Sequence, residues 1–113
     1  MKKWEIRQLR DAFVRQCFER DNHKCVMCGH NDFWIENVEH HLTVHHITDR
    51  HEMPNGGYVI ENGISLCEDC HWKAEEFHIS KGKRHKEGFH PDDLYAKIGS
   101  SYEEALEASE SLV

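Results

Sequence analysis

The sequence has no uninterrupted apolar run approaching the roughly 20 residues a helix needs to cross a bilayer. Its opening stretch, MKKWEIRQLRDAF, is basic but lacks the apolar segment of a secretory leader, so an intracellular, cytoplasmic address is expected. There is no low-complexity tract, and nothing repeats beyond a short cysteine pair. Positive charge is scarce: 14 lysines and arginines stand against 21 acids, a formal net charge of −7. Such a balance argues at first sight against a nucleic-acid partner. At 113 residues the chain is expected to form a single domain whose modest core would gain from a metal staple.

The distribution of charge softens the argument from its sum. Lys2, Lys3, Arg7, Arg10, Arg15 and Arg20 crowd the start, and KGKRHK forms a second basic cluster from Lys81 to Lys86. Glu103, Glu104, Glu107 and Glu110 gather without a compensating base near the end. Two basic patches leave contact with DNA open, with solvated surface as the plainer alternative.

Cysteine is the richer signal. Cys25-Val-Met-Cys28 and Cys67-Glu-Asp-Cys70 are two C-x2-C pairs, 38 residues apart, with Cys17 on its own. In a chain expected to be intracellular, two such pairs read as one four-thiolate zinc site, the turn letting two sulfurs converge on a tetrahedral ion. Disulfide or redox pairing is the alternative. Cys17 falls at helical spacing with Phe13 and Leu9 and reads as a buried apolar thiol.

Periodicity sets the remaining frame. Residues 4–20 read as an amphipathic helix with Trp4, Leu9, Phe13, Cys17 and either Ile6 or Phe18 on its apolar stripe. A knuckle-like turn follows, and then a strand over LTVHHI in which Leu42, Val44 and His46 alternate with Thr43, His45 and Ile47. DRHEMPNGGYVIENG is loop, ISLC a second strand, and CHWKAEEFHI a helix opened by Glu68 and Asp69. His90 before Pro91 starts a short helix to about Ile98, and Ser101 to Glu104 has the pattern of a capping box. The expected layout is an N-terminal helix (1–22), a zinc-bound core (23–80), and a basic linker with C-terminal helices (81–113). The C-terminal segment is expected to pack on the core or to meet a protein partner.

CVMC, LTVHHI, NGGYVIENGISLCEDCH and the following Lys73 together resemble the HNH endonuclease family, across roughly residues 23–75. The resemblance implies an α+β fold: a small zinc-stapled ββα-metal core, of the His-Me finger and treble-clef-like kind. It implies a metal-dependent nuclease that hydrolyses DNA phosphodiester bonds, with the ββα unit lying on the minor groove and no membrane association. It assigns His46 as the general base on water, a role suited to an imidazole titrating near 6.5, and gives His45 and His71 the catalytic cation, Mg²⁺ or Mn²⁺. Asn62 would hydrogen-bond backbone across the loop and hold His46 in aim. Glu75, four residues after His71 on the same helical face, is a further candidate ligand, and His78 a weaker one. Small stand-alone relatives occur as phage, mobile-element and restriction nucleases.

Departures qualify the pattern. Many relatives carry Asp where this chain has His45, which would move metal preference toward Mn²⁺, Ni²⁺ or Zn²⁺. Many also have a proline soon after the doublet, where this chain has Thr48-Asp49-Arg50. Phosphate contacts would come from Lys73, Lys81, Lys83, Arg84, Lys86 and the N-terminal arginines, with Arg50 a candidate or a plain surface residue. His40 and His41 read as exposed, and His23, His30, His51, His85 and His90 receive no role. Because neighbouring side chains on a strand point to opposite faces, convergence of His45 and His46 on one phosphate is expected to need a twist or bulge. The alternative function is a non-catalytic treble-clef module that binds nucleic acid or protein.

Overall fold

The computed structural model describes residues 2–29, 33–35, 38–40 and 42–112. The chain runs α1 (Lys3–Arg20), a hairpin of β1 (Phe33–Ile35) and β2 (Val38–His40), then β3 (Leu42–His46), β4 (Gly63–Cys67), α2 (Glu68–Ile79), α3 (Pro91–Lys97) and α4 (Tyr102–Glu110). Three short 3₁₀ turns fill the connection from β3 to β4. Both sheets are two-stranded and antiparallel, β1 with β2 and β3 with β4. The expected α+β class and the strand–strand–helix order are both present. Among the described residues no helix is long and apolar enough to cross a membrane.

β4 is the axis of the domain. Ile64, Ser65 and Leu66 are wholly buried, because α1 and α2 both pack on the β3–β4 hairpin. The edge of β4 away from β3 is satisfied by local groups rather than by a further strand. Ser65 donates its amide to Asp21 at 3.0 Å and accepts from the Val26 amide at 3.0 Å. Arg20 reinforces this seam. It grips both oxygens of Asp21 at 2.8 Å and donates to the carbonyls of Ile60 and Gly63. This arginine is therefore a structural clamp and is not free to meet a phosphate, unlike the role expected of the N-terminal arginines.

On α1, Phe13 and Cys17 are buried one turn apart, with Ile6 and Leu9 partly covered beside them. Burial pushes the Cys17 thiol up to about 12, as an apolar thiol requires. Trp4 departs from the expected stripe and stays 56% exposed. Helical phase fixes which face a residue occupies but not whether the first turn has anything to pack on.

The C-terminal helices belong to the core: Leu94, Tyr95 and Ala105 join the cluster formed by Ile47, Ile64, Leu66 and Ala74. Their caps also differ from expectation in detail. His90 makes the full reciprocal capping box with Asp93, while Ser101 accepts from the Glu104 amide.

Gly63 pairs with His46 across the ladder. A Cβ at this position would lie 2.5 Å from the Phe13 ring and 2.6 Å from the Cys17 sulfur. The backbone there is ordinary extended chain, so the constraint is one of packing alone. Gly63→Ala should therefore cost about 1–3 kcal/mol by overpacking and lower the melting temperature by roughly 5 °C or more. Unchanged thermal unfolding would contradict this account of the α1–hairpin contact.

A candidate metal centre on the hairpin and helix α2

Four sulfurs meet where β4 becomes α2. Cys25 and Cys28 come from the knuckle after α1, Cys67 ends β4, and Cys70 lies in the first turn of α2. The four Sγ atoms all lie within 4.8 Å of one another, a set that can hold a metal ion. Cys28 and Cys67 place their sulfurs 3.6 Å apart. Four sulfurs around a zinc ion at 2.3 Å would be spaced by about 3.8 Å, so the set is already close to that geometry. Burial works to raise the Cys25 thiol, but backbone amides of Cys67, Cys28 and Met27 outweigh it and bring the pKa below the ordinary value.

The phase of α2 then fixes a second cluster. Adjacent helical residues lie about 100° apart, so with Cys70 turned inward His71 meets the outer part of the hairpin. Its Nδ1 is 2.8 Å from the Thr43 hydroxyl. Glu75, one turn on, brings Oε1 to 3.2 Å from His71 Nε2 and 3.1 Å from His45 Nδ1. A carboxylate can only accept, so both imidazole nitrogens facing it donate. These bonds, that from His45 foremost, hold the Glu75 carboxyl well below the usual carboxylate range.

His78 completes the row. Its ring stacks on His45 with centroids 5.0 Å apart, and its Nε2 donates to the His46 carbonyl at 2.9 Å. His45, Glu75 and His78 hold their ligand atoms within 4.8 Å of one another. His71 joins them through Glu75. The structure thus draws His78, the weaker candidate of the sequence, into the cluster more closely than His71. Imidazole and carboxylate donors together suit a divalent first-row ion. His45 is 1% exposed, and burial lowers its pKa, which keeps the imidazole neutral.

His46 faces the other way. Its ring sits between Phe13 of α1, at 4.8 Å, and Tyr58, at 5.2 Å. The β3–β4 register continues one-to-one through both histidines, His45 opposite Ile64 and His46 opposite Gly63. The expected bulge does not occur. Instead a pocket of about 270 Å³ reaches both sides of the strand end, lined by Val44, His46, Asp49 and Arg50 and by His71, Glu75 and His78 from α2. His45 does not line this pocket and meets it only through Glu75 and His78, which contact its ring. The Nε2 of His46 is buried and has no hydrogen-bond partner among the described residues. Burial, with His45 and Arg50 adding to it, takes the His46 pKa down to about 4.

Asn62 lies wholly buried behind the doublet. Its carboxamide accepts from the Thr48 amide at 2.9 Å and from the Tyr95 hydroxyl at 2.7 Å, and it donates to the carbonyls of Thr48 and Gly57. The Asn62 carbonyl also accepts from the Ile47 amide. The two residues after His46 are thereby tied to the turn, the Gly-Gly loop and α3. Gly57 has φ +65°, and a Cβ there would meet the Asn62 amide nitrogen at 2.8 Å, so glycine is required on both counts.

Other expected residues fall further out. Arg50 is exposed at the pocket rim, and Lys73 places its ammonium 5.9 Å from the Phe89 ring centre. Arg84 is engaged by Glu76 at 2.9 Å. His30, His41 and the side chain of His40 lie outside the described residues.

Residues 25–77 match the HNH endonuclease family. This stretch is an HNH domain. No curated protein and no solved structure matches the chain. The matched stretch spans the four cysteines, the doublet, Asn62, His71 and Glu75, and it supports a nuclease-family function in general. His78, Phe13 and Tyr95, which complete the surroundings of the site, lie beyond it. Sequence spacing alone gives no sign of Tyr95, whose contact with Asn62 spans 33 residues.

The lowered His46 pKa makes stability pH-dependent in a known direction. Between about 6.5 and 4 the unfolded imidazole takes up a proton that the folded one refuses, so stability present above 6.5 is lost as pH falls through that window. Glu75, also depressed, extends the loss below its ordinary value of 4.5. Melting temperature should fall as pH is lowered from 6.5 to 4, and His46→Phe, which keeps a ring but takes no proton, should show a shallower fall. Equal slopes in the two proteins would refute the burial of a neutral His46.

Proposed function

We propose that this protein is a metal-dependent endonuclease that hydrolyses DNA phosphodiester bonds. The observation that carries the reading is the unpartnered Nε2 of His46, a residue that lines one pocket with His71, Glu75 and His78. A neutral imidazole without a partner can take the proton from an attacking water. Its low pKa keeps it neutral at working pH but also makes it a weaker base than a free imidazole, and a substrate group that bonds Nε2 would relieve the burial that lowers it.

His45, His71 and Glu75 would hold a divalent cation, with His78 a further donor. Mg²⁺ or Mn²⁺ is expected there, and the nitrogen-rich donor set also suits Ni²⁺ or Zn²⁺. Bound there, a cation supplies positive charge to the phosphate oxygens as the bond breaks. Arg50 at the rim adds charge toward the incoming strand. Asn62 touches no substrate in this reading. It positions His46 through Thr48 and Ile47.

Purified protein should nick or cut plasmid DNA with Mg²⁺, Mn²⁺ or Ni²⁺, and His46→Ala should lower the rate by about 10²–10⁴-fold. Undiminished cutting by His46→Ala would overturn the assignment of the base. Absence of cutting by the wild type with every one of these metals would assign the fold to a binding module.

The four cysteines would hold a structural Zn²⁺. Four thiolates leave the ion no open position, so it would serve folding and not chemistry. Such a site contributes about 10–16 kcal/mol, as much as or more than the roughly 5–15 kcal/mol that keeps a domain folded. Metal analysis should find one zinc per chain in the wild type, and Cys67→Ala should lose both the zinc and the cooperative melt. A Cys67→Ala protein with native melting would refute it.

A further inference from the structure

Trp72 follows His71 directly on α2 and is 73% exposed. A lone exposed apolar side chain needs no explanation, but Trp72 is not alone. Ile79, two turns further on the same helix, is 61% exposed. Between them lies a hollow of about 400 Å³ that Thr43, His71 and Glu75 line from the metal-centre side, with Glu68 completing it. His71 and Glu75 line both this hollow and the pocket that holds His46. A strand whose phosphate lies in that pocket can therefore place a neighbouring nucleotide over Trp72.

The chemistry of the two spaces differs. The pocket at His46 carries Arg50, whereas the hollow is lined by an indole, an isoleucine, an imidazole, a hydroxyl and two carboxylates, without a lysine or arginine among the described residues. Glu75 borders both spaces, but in the hollow Glu68 adds a second carboxylate and Arg50 is not there to offset them, so a phosphate is unwelcome in it. The flat face of a base suits the indole, and its exocyclic amino groups suit the hydroxyl and carboxylate oxygens. We propose that this hollow is a nucleobase subsite in which Trp72 stacks on the base next to the cleaved phosphate. A base paired within a perfect duplex is not free to enter, so the preferred substrate is DNA with an unpaired nucleotide at that position. The proposal rests on the nuclease reading for its ligand class.

Binding distinguishes the two. Anisotropy of labelled single-stranded DNA, of a duplex with a one-nucleotide bulge and of a perfect duplex is measured with the full chain and no added divalent cation, so that nothing is cut. Single-stranded and bulged DNA should bind more tightly than the duplex. Trp72→Ala should weaken both by about tenfold and leave the perfect duplex unchanged, and Trp72→Phe should retain most of the affinity. Equal affinity for the three DNAs overturns the subsite, as does a Trp72→Ala protein that binds them like the wild type, which would leave the face to a protein partner. Equal losses in Trp72→Ala and Trp72→Phe overturn stacking. A protein that shows the expected binding but cuts no plasmid keeps the subsite and loses the nuclease reading, and one that cuts without regard to Trp72 does the reverse.

Discussion

The junction at which β4 ends on Cys67 and α2 begins on Glu68, with no residue between, is the constraint on which the rest of the site depends. A strand that passes directly into a helix transmits its own orientation, so the rotation of α2 is set by whatever holds the junction. Cys67 is the N-cap residue yet makes no capping bond, because its sulfur is turned toward Cys28. Cys70, a turn later, joins the same cluster. With two points of α2 fixed against the knuckle, the row His71, Glu75, His78 can lie only over Thr43 and His45. One cysteine cluster thus positions a second group of ligands that it does not touch.

A second clamp acts from the opposite side of the hairpin. Phe13 and Tyr58 confine the ring of His46, while Asn62 fixes the chain that leaves it. Tyr95 donates to Asn62 and accepts from the Thr48 hydroxyl, and burial lifts its pKa to about 12, so the hydroxyl keeps its proton. The C-terminal helices are therefore part of the support of the doublet. Asn55 extends the same support by donating to the Ser109 carbonyl at the end of α4.

What could be read in the sequence follows from how local each signal is. The C-x2-C pairs and the His71–Glu75 spacing are set by one turn of chain, and both are where the pattern puts them. Alternation correctly sends His45 and His46 to opposite faces, but it says nothing of a pocket that His46 lines together with Glu75 and His78, the two residues in contact with His45. Arg20 looked like one more cation of a basic patch, and only the fold reveals the carbonyls of Ile60 and Gly63 waiting for it. The same holds for Tyr95, whose role depends on a helix far along the chain. The β1–β2 hairpin was missed because the strand pattern over Leu42 to Ile47 is the stronger of two adjacent signals.

Three buried side-chain atoms are without a hydrogen-bond partner among the described residues: His46 Nε2, Ser65 Oγ and Ser109 Oγ. An orphaned polar atom costs stability wherever it lies, so orphaning alone does not mark a site. The serines differ from His46 in their surroundings. Ser65 is sealed within β4 and Ser109 within α4, and neither lines the pockets described above. A small hydroxyl is a minor burden in a core, whereas an imidazole held between two aromatic rings with its nitrogen unsatisfied is a larger one. It sits beside a carboxylate and three further imidazoles and borders a pocket with an arginine at the rim. The protein thus keeps its most costly unpaired atom on a residue that borders this pocket, and not in the sealed core.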